Sequence, residues 1–430
     1  MAEQMKPSGI DWIGDIPKSW KVTRLQTLFD QVKDKNSGTK EKNLLSLSYG
    51  KIVKKDIEGA FGLIPESFDT YNIIKKNDIV LRLTDMQNDQ VSLRTGLVKE
   101  EKGIITSAYV TIRLKCGSPS YYHWYLYAFD TSKQIYAFGQ GVRQSLTFEE
   151  LKKMLILLPS PKEQQAIAYF LDEECAQIDS IAADLEKQIV LLQQYKKSLI
   201  TETVTKGLDK SAPMKDSGVE WIGKIPEHWQ KTRIKFEASI IGSGTTPDSG
   251  NSMYYDNGEH SWIQSGDLYG KDYIYETEKQ LTNLAILECH ALNWYTKDFV
   301  VVAMYGASVG NVAISKIDSF TNQACCVIKL NEKNDNRYLF YFLKAAQEEM
   351  LLKAFGGTQP NISQIIIKNL NFLNVPLLEQ IEIADFLDSK CDMINEMLKS
   401  KKDQYDILIK HKKSLIYEYV TGKKRVKEVQ

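Results

Sequence analysis

Few residues of this 430-residue chain have the types and spacing needed for chemistry, and the first of them form a partial phosphate-binding loop. Gly218 to Lys224 have the glycine and lysine spacing that cradles phosphates. However, Ile225 stands where such a loop needs serine or threonine, and a related segment near the N-terminus has Asp15 in place of the lysine. We therefore do not predict nucleotide binding.

Three other kinds of catalytic centre are also incomplete. Pro247 and Asp248 could begin a nuclease metal site, but no acidic-x-Lys sequence follows within forty residues. No Pro-Pro pair, which an adenine methyltransferase motif would need, occurs in the chain. The five histidines lack metal-ligand spacing and a nucleophile partner. They are His123, His228, His260, His290 and His411. We predict a chain that is not itself an enzyme and that holds no cofactor or metal.

The remaining candidates are polar and aromatic side chains suited to DNA. Arginine can bridge guanine, glutamine and asparagine can bridge adenine, and hydroxyl groups suit phosphate. In the first half the predicted DNA-binding residues are Ser48, Tyr49, Arg82, Thr84, Gln87, Arg94, Ser107, Tyr109 and Arg143. In the second half they are Ser243, Thr245, Thr246, Tyr254, Tyr255, Gln264, Ser265, Tyr305, Ser308, Asn322, Gln323, Gln359 and Asn361. A solvated loop role explains any single residue equally well, so the prediction concerns the set.

Two stretches of short apolar strands and turns could position these side chains. In the first stretch we predict strands at 44–50, 78–83 and 104–114 and an aromatic helix at 121–129. In the second we predict strands at 262–264, 298–304 and 324–330 and a helix at 338–345. Both patterns indicate α+β domains, and their common order predicts a shared fold.

The segments that flank these stretches occur twice. Met5 to Arg24 returns as Met214 to Arg233, with 12 of 20 positions identical, and Glu163 to Thr205 returns as Glu379 to Thr421. The stretches between them, roughly 45–155 and 240–355, show little similarity. A duplicated frame around unlike contents predicts two similar modules that read a bipartite target. We also interpret the Trp/Ile/Pro-rich leader blocks, together with the unpaired surfaces of the repeated helices, as candidate docking faces for other subunits.

The repeated C-terminal blocks carry a heptad pattern of apolar residues. In the first copy Leu171, Ile178, Leu185, Leu192 and Leu199 recur at steps of seven, and the second copy keeps this register except at Lys401. The pattern is typical of a coiled coil. An oligomerisation helix is one interpretation. Because both copies lie in one chain, we predict an intramolecular antiparallel pair that gives the molecule a pseudo-two-fold axis and holds the two domains apart.

Composition places few further limits on function. Net charge is zero, although residues 21–158 hold 21 Lys and Arg against 15 Asp and Glu, and residues 230–370 hold 13 against 15. The chain has no apolar run of transmembrane length and no cleavable leader, so we expect a cytoplasmic protein without membrane contact. The six cysteines show no CxxC pair and are interpreted as small core residues.

Several of these strings together resemble the specificity subunit of type I restriction-modification systems. They are the SerGlyxxWxGxIPxxW leaders, Pro159 to Asp172, Tyr305 to Ile314 followed by Thr321 to Ala324, and the two LysLysSerLeuIle helix ends. The resemblance covers essentially the whole chain. It implies two target recognition domains, each reading half of an interrupted double-stranded DNA sequence, separated by antiparallel helices that act as a ruler.

The resemblance also implies catalytic partners. Two modification subunits would use S-adenosylmethionine to methylate adenine N6, and two restriction subunits would use ATP and magnesium for translocation and cleavage. On this basis we divide the chain into a first recognition domain (1–158), a first spacer helix (159–207), a second recognition domain (208–375), a second spacer helix (376–423) and a basic tail (424–430). The alternative is a coiled-coil scaffold that never contacts DNA, and an enzyme of unrecognised mechanism ranks third.

Overall fold

A computed structural model describes residues 4–55, 67–85, 93–137, 145–356 and 360–426. Residue contacts divide the chain into two units. Unit 1 contains residues 1–186 and 402–430, and unit 2 contains residues 187–401. The described residues include no helix that is long and apolar enough to cross a membrane.

Unit 1 is built from short strands and helices. Its strands are β1 (Met5–Pro7), β2 (Asp15–Pro17), β3 (Lys21–Arg24), β4 (Phe29–Gln31), β5 (Leu45–Ser48), β6 (Lys51–Lys54), β7 (Asn72–Lys75), β8 (Ile79–Leu81), β9 (Thr95–Leu97), β10 (Lys102–Ile105), β11 (Val110–Leu114) and β12 (Leu155–Leu158). Its short helices are α1 (Leu25–Leu28), α2 (Pro119–Thr131) and α3 (Phe148–Leu151), with a 3-10 turn at Gln134–Ala137.

Unit 2 has a similar order of elements, and two long helices run through both units. The strands are β13 (Met214–Asp216), β14 (Lys224–Pro226), β15 (Gln230–Arg233), β16 (Ala238–Gly242), β17 (His260–Ile263), β18 (Tyr273–Ile274), β19 (Gln280–Leu281), β20 (Phe299–Ala303), β21 (Val312–Ser315), β22 (Phe320–Thr321), β23 (Cys325–Leu330) and β24 (Asn371–Asn374). The short helices are α5 (Ile234–Glu237), α6 (Asn283–Glu288), α7 (Asn336–Ala345), α8 (Gln347–Leu352) and α9 (Gln364–Lys368), with 3-10 turns at Ser252–Tyr254 and Ser265–Leu268. The long helices are α4 (Pro161–Lys206) and α10 (Leu377–Val420).

The two units share a sheet topology, as the sequence predicted. The main sheet of unit 1 has the order β4-β11-β8-β9, and that of unit 2 has the order β16-β23-β20-β21-β18. Two further pairs also correspond, since β3 pairs with β12 as β15 pairs with β24. In each unit the aromatic helix, α2 or α7, follows the last strand of the main sheet to appear in the chain, β11 or β23. The fold is therefore α+β, with two domains of one topology and two long helices.

The aromatic helices supply much of each core. In α2 nearly every residue from Tyr121 to Asp130 is buried, and in α7 the same holds from Tyr338 to Leu343. Each helix starts with a side-chain cap, because Ser118 accepts a hydrogen bond from the backbone of α2, and Asp335 does so for α7. The cores of both units also include residues of the long helices.

The long helices are antiparallel within unit 1. Lys412 of α10 forms an ion pair with Asp179 of α4, and seven residues later on α4 Glu186 contacts Tyr405, seven residues earlier on α10. In unit 2, Lys196 donates to Asn395 at 2.9 Å. The predicted heptad positions Leu171, Ile178 and Leu185 are buried, as are Leu387, Cys391 and Ile394 of the second copy. The heptad pattern thus identified the packed faces correctly.

Two of the four leader tryptophans, Trp20 and Trp229, are fully buried and so cannot contribute to the docking faces that we predicted, whereas Trp12 and Trp221 are partly exposed. The Trp20 indole N–H donates to Glu163 at 3.2 Å, and the Trp229 indole donates to Glu379 at 3.0 Å. Glu163 and Glu379 are repeat-equivalent residues in the first turns of α4 and α10. Each leader therefore anchors the start of the long helix that follows its own domain.

The aromatic helix of each unit is hydrogen-bonded to the C-terminal end of one long helix, α10 in unit 1 and α4 in unit 2. The Tyr121 hydroxyl donates to the carbonyl of Val420 in α10, and the Tyr338 hydroxyl donates to the carbonyl of Val204 in α4, both at 3.0 Å. Val420 and Val204 occupy equivalent repeat positions. The sequence-based division assigned each helix to one segment, whereas the contacts divide each helix between the two units.

The cysteines form no disulfide, and four of the six are buried. Burial raises the pKa of Cys175 to about 12 and also raises the pKa of Cys391. Both thiols therefore stay protonated and behave as small core groups, as we inferred from their positions.

Candidate nucleic-acid interface

In unit 2, most of the predicted DNA-binding residues lie at one edge of the sheets. Strands β17 and β22 are parallel, so Gln264 and Asn322 follow their strands on the same side. Strand β23 is antiparallel to both β16 and β20, so its start lies beside their ends. The ends of four strands and the start of a fifth therefore meet. This edge carries Ser243, Thr245, Thr246, Gln264, Ser265, Tyr305, Ser308, Asn322 and Gln323.

Hydrogen bonds fix the side chains of this edge to one another. The Thr246 hydroxyl donates to the Gln323 side-chain oxygen at 2.5 Å, while the Gln323 side chain remains exposed. The Gln264 backbone N–H donates to Asp267 at 2.8 Å, within a capping box that orders the turn after β17. Thr246, Gln264 and Gln323 thus present polar groups from an ordered backbone, which suits base-edge contacts.

Other members of the set have structural roles. Asn322 is buried and its side-chain oxygen accepts the backbone N–H of Ala324 at 3.1 Å, and Ser308 is also buried. Asn361 is exposed and forms a β-bridge with Phe355. The backbone N–H of the next residue, Ile362, donates to the carbonyl of Met304, which precedes Tyr305. Asn361 therefore reaches the edge, whereas Asn322 and Ser308 support it.

Tyr254 and Tyr255 lie beside the edge and not on it. Tyr255 packs against Trp262 with ring centroids 5.7 Å apart, and both rings line an open cleft of about 680 Å³. Thr277, Lys279 and Gln280 also line this cleft, although none of the three was predicted to bind DNA. Burial raises the pKa of Tyr255, so its hydroxyl remains neutral and donates to the carbonyl of Pro247.

Gly244 lets the loop after β16 pass close to β22. A Cβ atom at this position would lie 1.7 Å from the carbonyl oxygen of Thr321. The Gly244 N–H also points to the Asn322 carbonyl at 3.4 Å, and the Trp262 indole donates to the Thr245 carbonyl at 3.3 Å. This close approach places Thr246 within reach of Gln323.

In unit 1, a similar convergence places predicted residues at one edge. Leu81 at the end of β8 lies opposite both Val110 and Thr95. Residues that follow β8 or precede β9 and β11 therefore share one edge. These residues are Arg82, Thr84, Arg94, Ser107 and Tyr109. Ser107 and Thr84 are exposed, and Tyr109 packs partly against a small core beneath the edge.

Ser48 and Tyr49 reach the same edge on a hairpin. Strands β5 and β6 are joined by Tyr49 and Gly50, both with positive φ, as a tight two-residue turn requires. Tyr49 is 79% exposed, and Gly50 approaches the side chain of Leu93, next to Arg94. An exposed ring on a rigid turn can stack on a base or contact a groove.

Arg94 does not present its guanidinium for DNA contact, because the side chain is fully buried. It donates to the carbonyl oxygens of Arg82 at 3.2 Å, Thr84 at 2.9 Å and Asp85 at 3.2 Å. We therefore reassign Arg94 from base reading to ordering the loop that carries Arg82 and Thr84. Arg82 keeps a partly exposed side chain 3.9 Å from Asp85.

Three predicted residues, Gln87, Arg143 and Gln359, lie outside the described residues. Across the described ranges, no group of three or more His, Cys, Asp or Glu side chains could hold a metal ion. The buried His123 has its pKa lowered to about 4 by burial and by the charges of Lys99 and Lys412. It is neutral at pH 7 and forms part of α2.

Comparison with known proteins identifies the family. Residues 17–190 and 226–404 match the profile described as the type I restriction modification DNA specificity domain. The chain is similar to the type I restriction enzyme MjaVIII specificity subunit of Methanocaldococcus jannaschii. The two are 24% identical over 427 residues, which cover 96% of this chain and 95% of that relative.

Solved structures agree on the fold. A chain from a structure described as the structural basis underlying complex assembly and conformational transition of the type I R-M system matches with a TM-score of 0.70 at 14% identity, covering 94% of this chain and 98% of that one. The HsdS subunit from Thermoanaerobacter tengcongensis matches with a TM-score of 0.50 at 14% identity, covering 95% and 98%. The chain belongs to the family of type I restriction-modification specificity subunits, with one DNA specificity domain in each half.

Proposed function

We propose that this specificity subunit reads an interrupted target in double-stranded DNA, with one half-site contacted by each domain. The observation that supports this most strongly is that two domains of one topology carry unlike polar edges. Unit 1 offers Tyr49 and Arg82, whereas unit 2 offers Thr246, Gln264 and Gln323. Unlike edges on like scaffolds suit two different base sequences.

The long helices would set the gap between the half-sites and receive the catalytic partners. Two modification subunits would bring S-adenosylmethionine for adenine N6 methylation, and two restriction subunits would bring ATP and magnesium for translocation and cleavage. Leu191, Tyr195, Met393 and Met397 of the helices expose apolar surface that suits such docking. The rival proposal, a scaffold without DNA contact, would use the same surface.

Binding to duplexes of altered spacing tests this function. The subunit is purified with its methyltransferase partners, and affinity is measured for the target duplex, for a duplex with one half-site scrambled, and for one with a single base pair inserted in the gap. The insertion rotates one half-site against the other by about 34–36°. We expect both altered duplexes to lose at least about tenfold in affinity, since each lost base pair contact costs about 1–3 kcal/mol.

Salt and methylation assays separate the two proposals. DNA affinity should fall steeply with rising salt, because phosphate contacts release counterions. Equal affinity and methylation for all three duplexes would contradict a bipartite reader. Partner binding without any salt-sensitive DNA affinity would favour the scaffold.

A further inference from the structure

The second domain contacts the long helices through a strand that has no counterpart among the described residues of the first. Strand β18 is the fifth strand of the unit 2 sheet and pairs in parallel with β21. In unit 1 the corresponding sheet ends at β9, within the part of the chain that the structure describes. Because β18 is only two residues long, side-chain contacts must contribute to fixing its position.

Two adjacent residues at this strand reach both long helices. Asp272, which precedes β18, accepts hydrogen bonds from Lys344 of α7 and from Lys196 of α4, the latter at 3.5 Å. Tyr273, the first residue of β18, donates its hydroxyl to Asp388 of α10 at 3.0 Å. One short strand thus joins the sheet of the second domain to α4 and to α10.

The helix residues that receive these contacts are repeat-equivalent to residues used differently in unit 1. Lys196 corresponds to Lys412, which pairs with Asp179 of the partner helix. The position equivalent to Asp179 is Asn395, so Lys196 has an amide oxygen there, at 2.9 Å, in place of a carboxylate. Asp272 supplies the carboxylate from the domain instead.

The contacts of Asp388, the second helix residue that β18 reaches, also differ from those of its equivalent in unit 1. Asp172 in unit 1 accepts from Ser120 and from the Trp124 indole, both on α2. Its equivalent Asp388 accepts from Tyr341 of α7 at 2.6 Å and additionally from Tyr273. The helix carboxylate is kept, but β18 adds a donor from outside the aromatic helix.

We propose that Asp272 and Tyr273 are positioning residues that fix the second recognition domain on the helix pair and so determine the register at which it meets its half-site. This proposal rests on the proposed function for its effect on DNA, but its structural part concerns unit 2 alone. Rotation of the domain on the helices would separate Asp272 from Lys196 and Tyr273 from Asp388.

The strength of this anchor follows from its partial burial. The side chains of Asp272 and Lys196 are 30% and 17% exposed, whereas the nearby pair of Lys197 with Glu348 is 54% and 72% exposed. Burial alone would raise the pKa of Asp272, but the charges of Lys344 and Lys196 outweigh it and lower the pKa. The carboxylate is therefore ionised at pH 7, and its ion pairs are screened less than exposed ones.

The full chain provides both a test and a matched control. The test variant combines Asp272→Asn with Tyr273→Phe, which removes the charge and the hydroxyl but keeps the side-chain shapes. The control is Glu348→Gln, which breaks an exposed ion pair between the same domain and the same helix. Melting temperatures of both variants establish that they fold.

Distances within unit 2 are measured first, by pulsed electron resonance between spin labels at Lys187→Cys and Lys279→Cys, with Cys116 and Cys289 replaced by serine. We expect a narrow distance distribution for wild type and the control, and a distinctly broader or shifted one for the double variant. An unchanged distribution in the double variant would overturn the anchor.

Spacing discrimination is measured second, as the ratio of affinities for duplexes with the native gap and with one base pair added, in the complex with methyltransferase partners. We expect this ratio to fall by about tenfold in the double variant, the effect of losing a charged hydrogen bond, and to stay constant in the control. A constant ratio in a folded double variant would overturn the role in register. Wild type that ignores spacing would instead contradict the proposed function, while the label distances still decide the anchor.

Discussion

Replacing Arg94 with alanine is expected to lower the free energy of unfolding of unit 1 by about 3–5 kcal/mol, because the change leaves a cavity in place of the fully buried side chain and removes the donor to three backbone carbonyl oxygens. These belong to Arg82, Thr84 and Asp85. Urea unfolding of the full chain, followed by hydrogen exchange in unit 1, measures the loss. Peptides from the loop that carries Arg82 should lose protection first.

Arg82→Ala is the matched control for this variant. The Arg82 side chain is about one-third exposed and faces Asp85 at 3.9 Å, so its loss should change the free energy of unfolding by about 0.5 kcal/mol or less. If Arg82 contacts a base, its removal should instead weaken discrimination at one position of the target. Equal destabilisation by both variants, or none by Arg94→Ala, would contradict the assignment of Arg94 as a loop-ordering residue.

Gly244→Ala is expected to reduce affinity for the second half-site by about 100-fold, the equivalent of losing contacts to one or two base pairs. A methyl group cannot fit 1.7 Å from the Thr321 carbonyl oxygen, so the loop must move away from β22. The hydrogen bond from Thr246 to Gln323 would then break, and both side chains would leave their places at the edge. Fluorescence anisotropy with duplexes altered in either half-site measures the effect.

Gly250→Ala is the control, since the nearest atom to a Cβ at this exposed position is a side-chain oxygen at 3.4 Å, an ordinary contact. We expect the Gly250→Ala variant to bind both half-sites with the affinity of the wild-type protein. The first half-site should also keep its contribution in Gly244→Ala. A uniform loss of affinity for every duplex, including non-specific DNA, would show that the loop contacts phosphate and not bases.

The repeated part of this fold was predictable because its sequence occurs twice in the chain. The buried strand Phe299–Ala303 is a continuous apolar run, and Cys325–Leu330 is apolar except at Lys329, while heptad leucines mark the packed faces of α4 and α10. Residues 104–114, in contrast, were predicted as one strand and form parts of two. The turn from Thr106 to Tyr109 separates β10, which pairs with β7, from β11, which pairs with β4 and β8. Only tertiary pairing reveals that break.

The direction of individual side chains was harder to predict than their place in the chain. Arg94 was assigned to DNA because nothing local distinguishes a guanidinium that faces a groove from one that binds carbonyls. Trp20 and Trp229 were included in a docking face because their acceptors, Glu163 and Glu379, lie 143 and 150 residues away. Asp272 and Tyr273 were not among the predicted residues because their partners on the long helices, Lys196 and Asp388, lie 76 and 115 residues away.

Sequencing of methylated adenines in cells with and without this gene tests the central claim most directly. The claim is that one chain presents two unlike domains to one duplex at a fixed separation. It predicts methylation, dependent on the gene, at a motif of two different half-sites with a gap of constant length, and loss of specificity in only the second half-site with Gly244→Ala. A single uninterrupted motif, a gap of variable length, or methylation that is the same without the gene would contradict it.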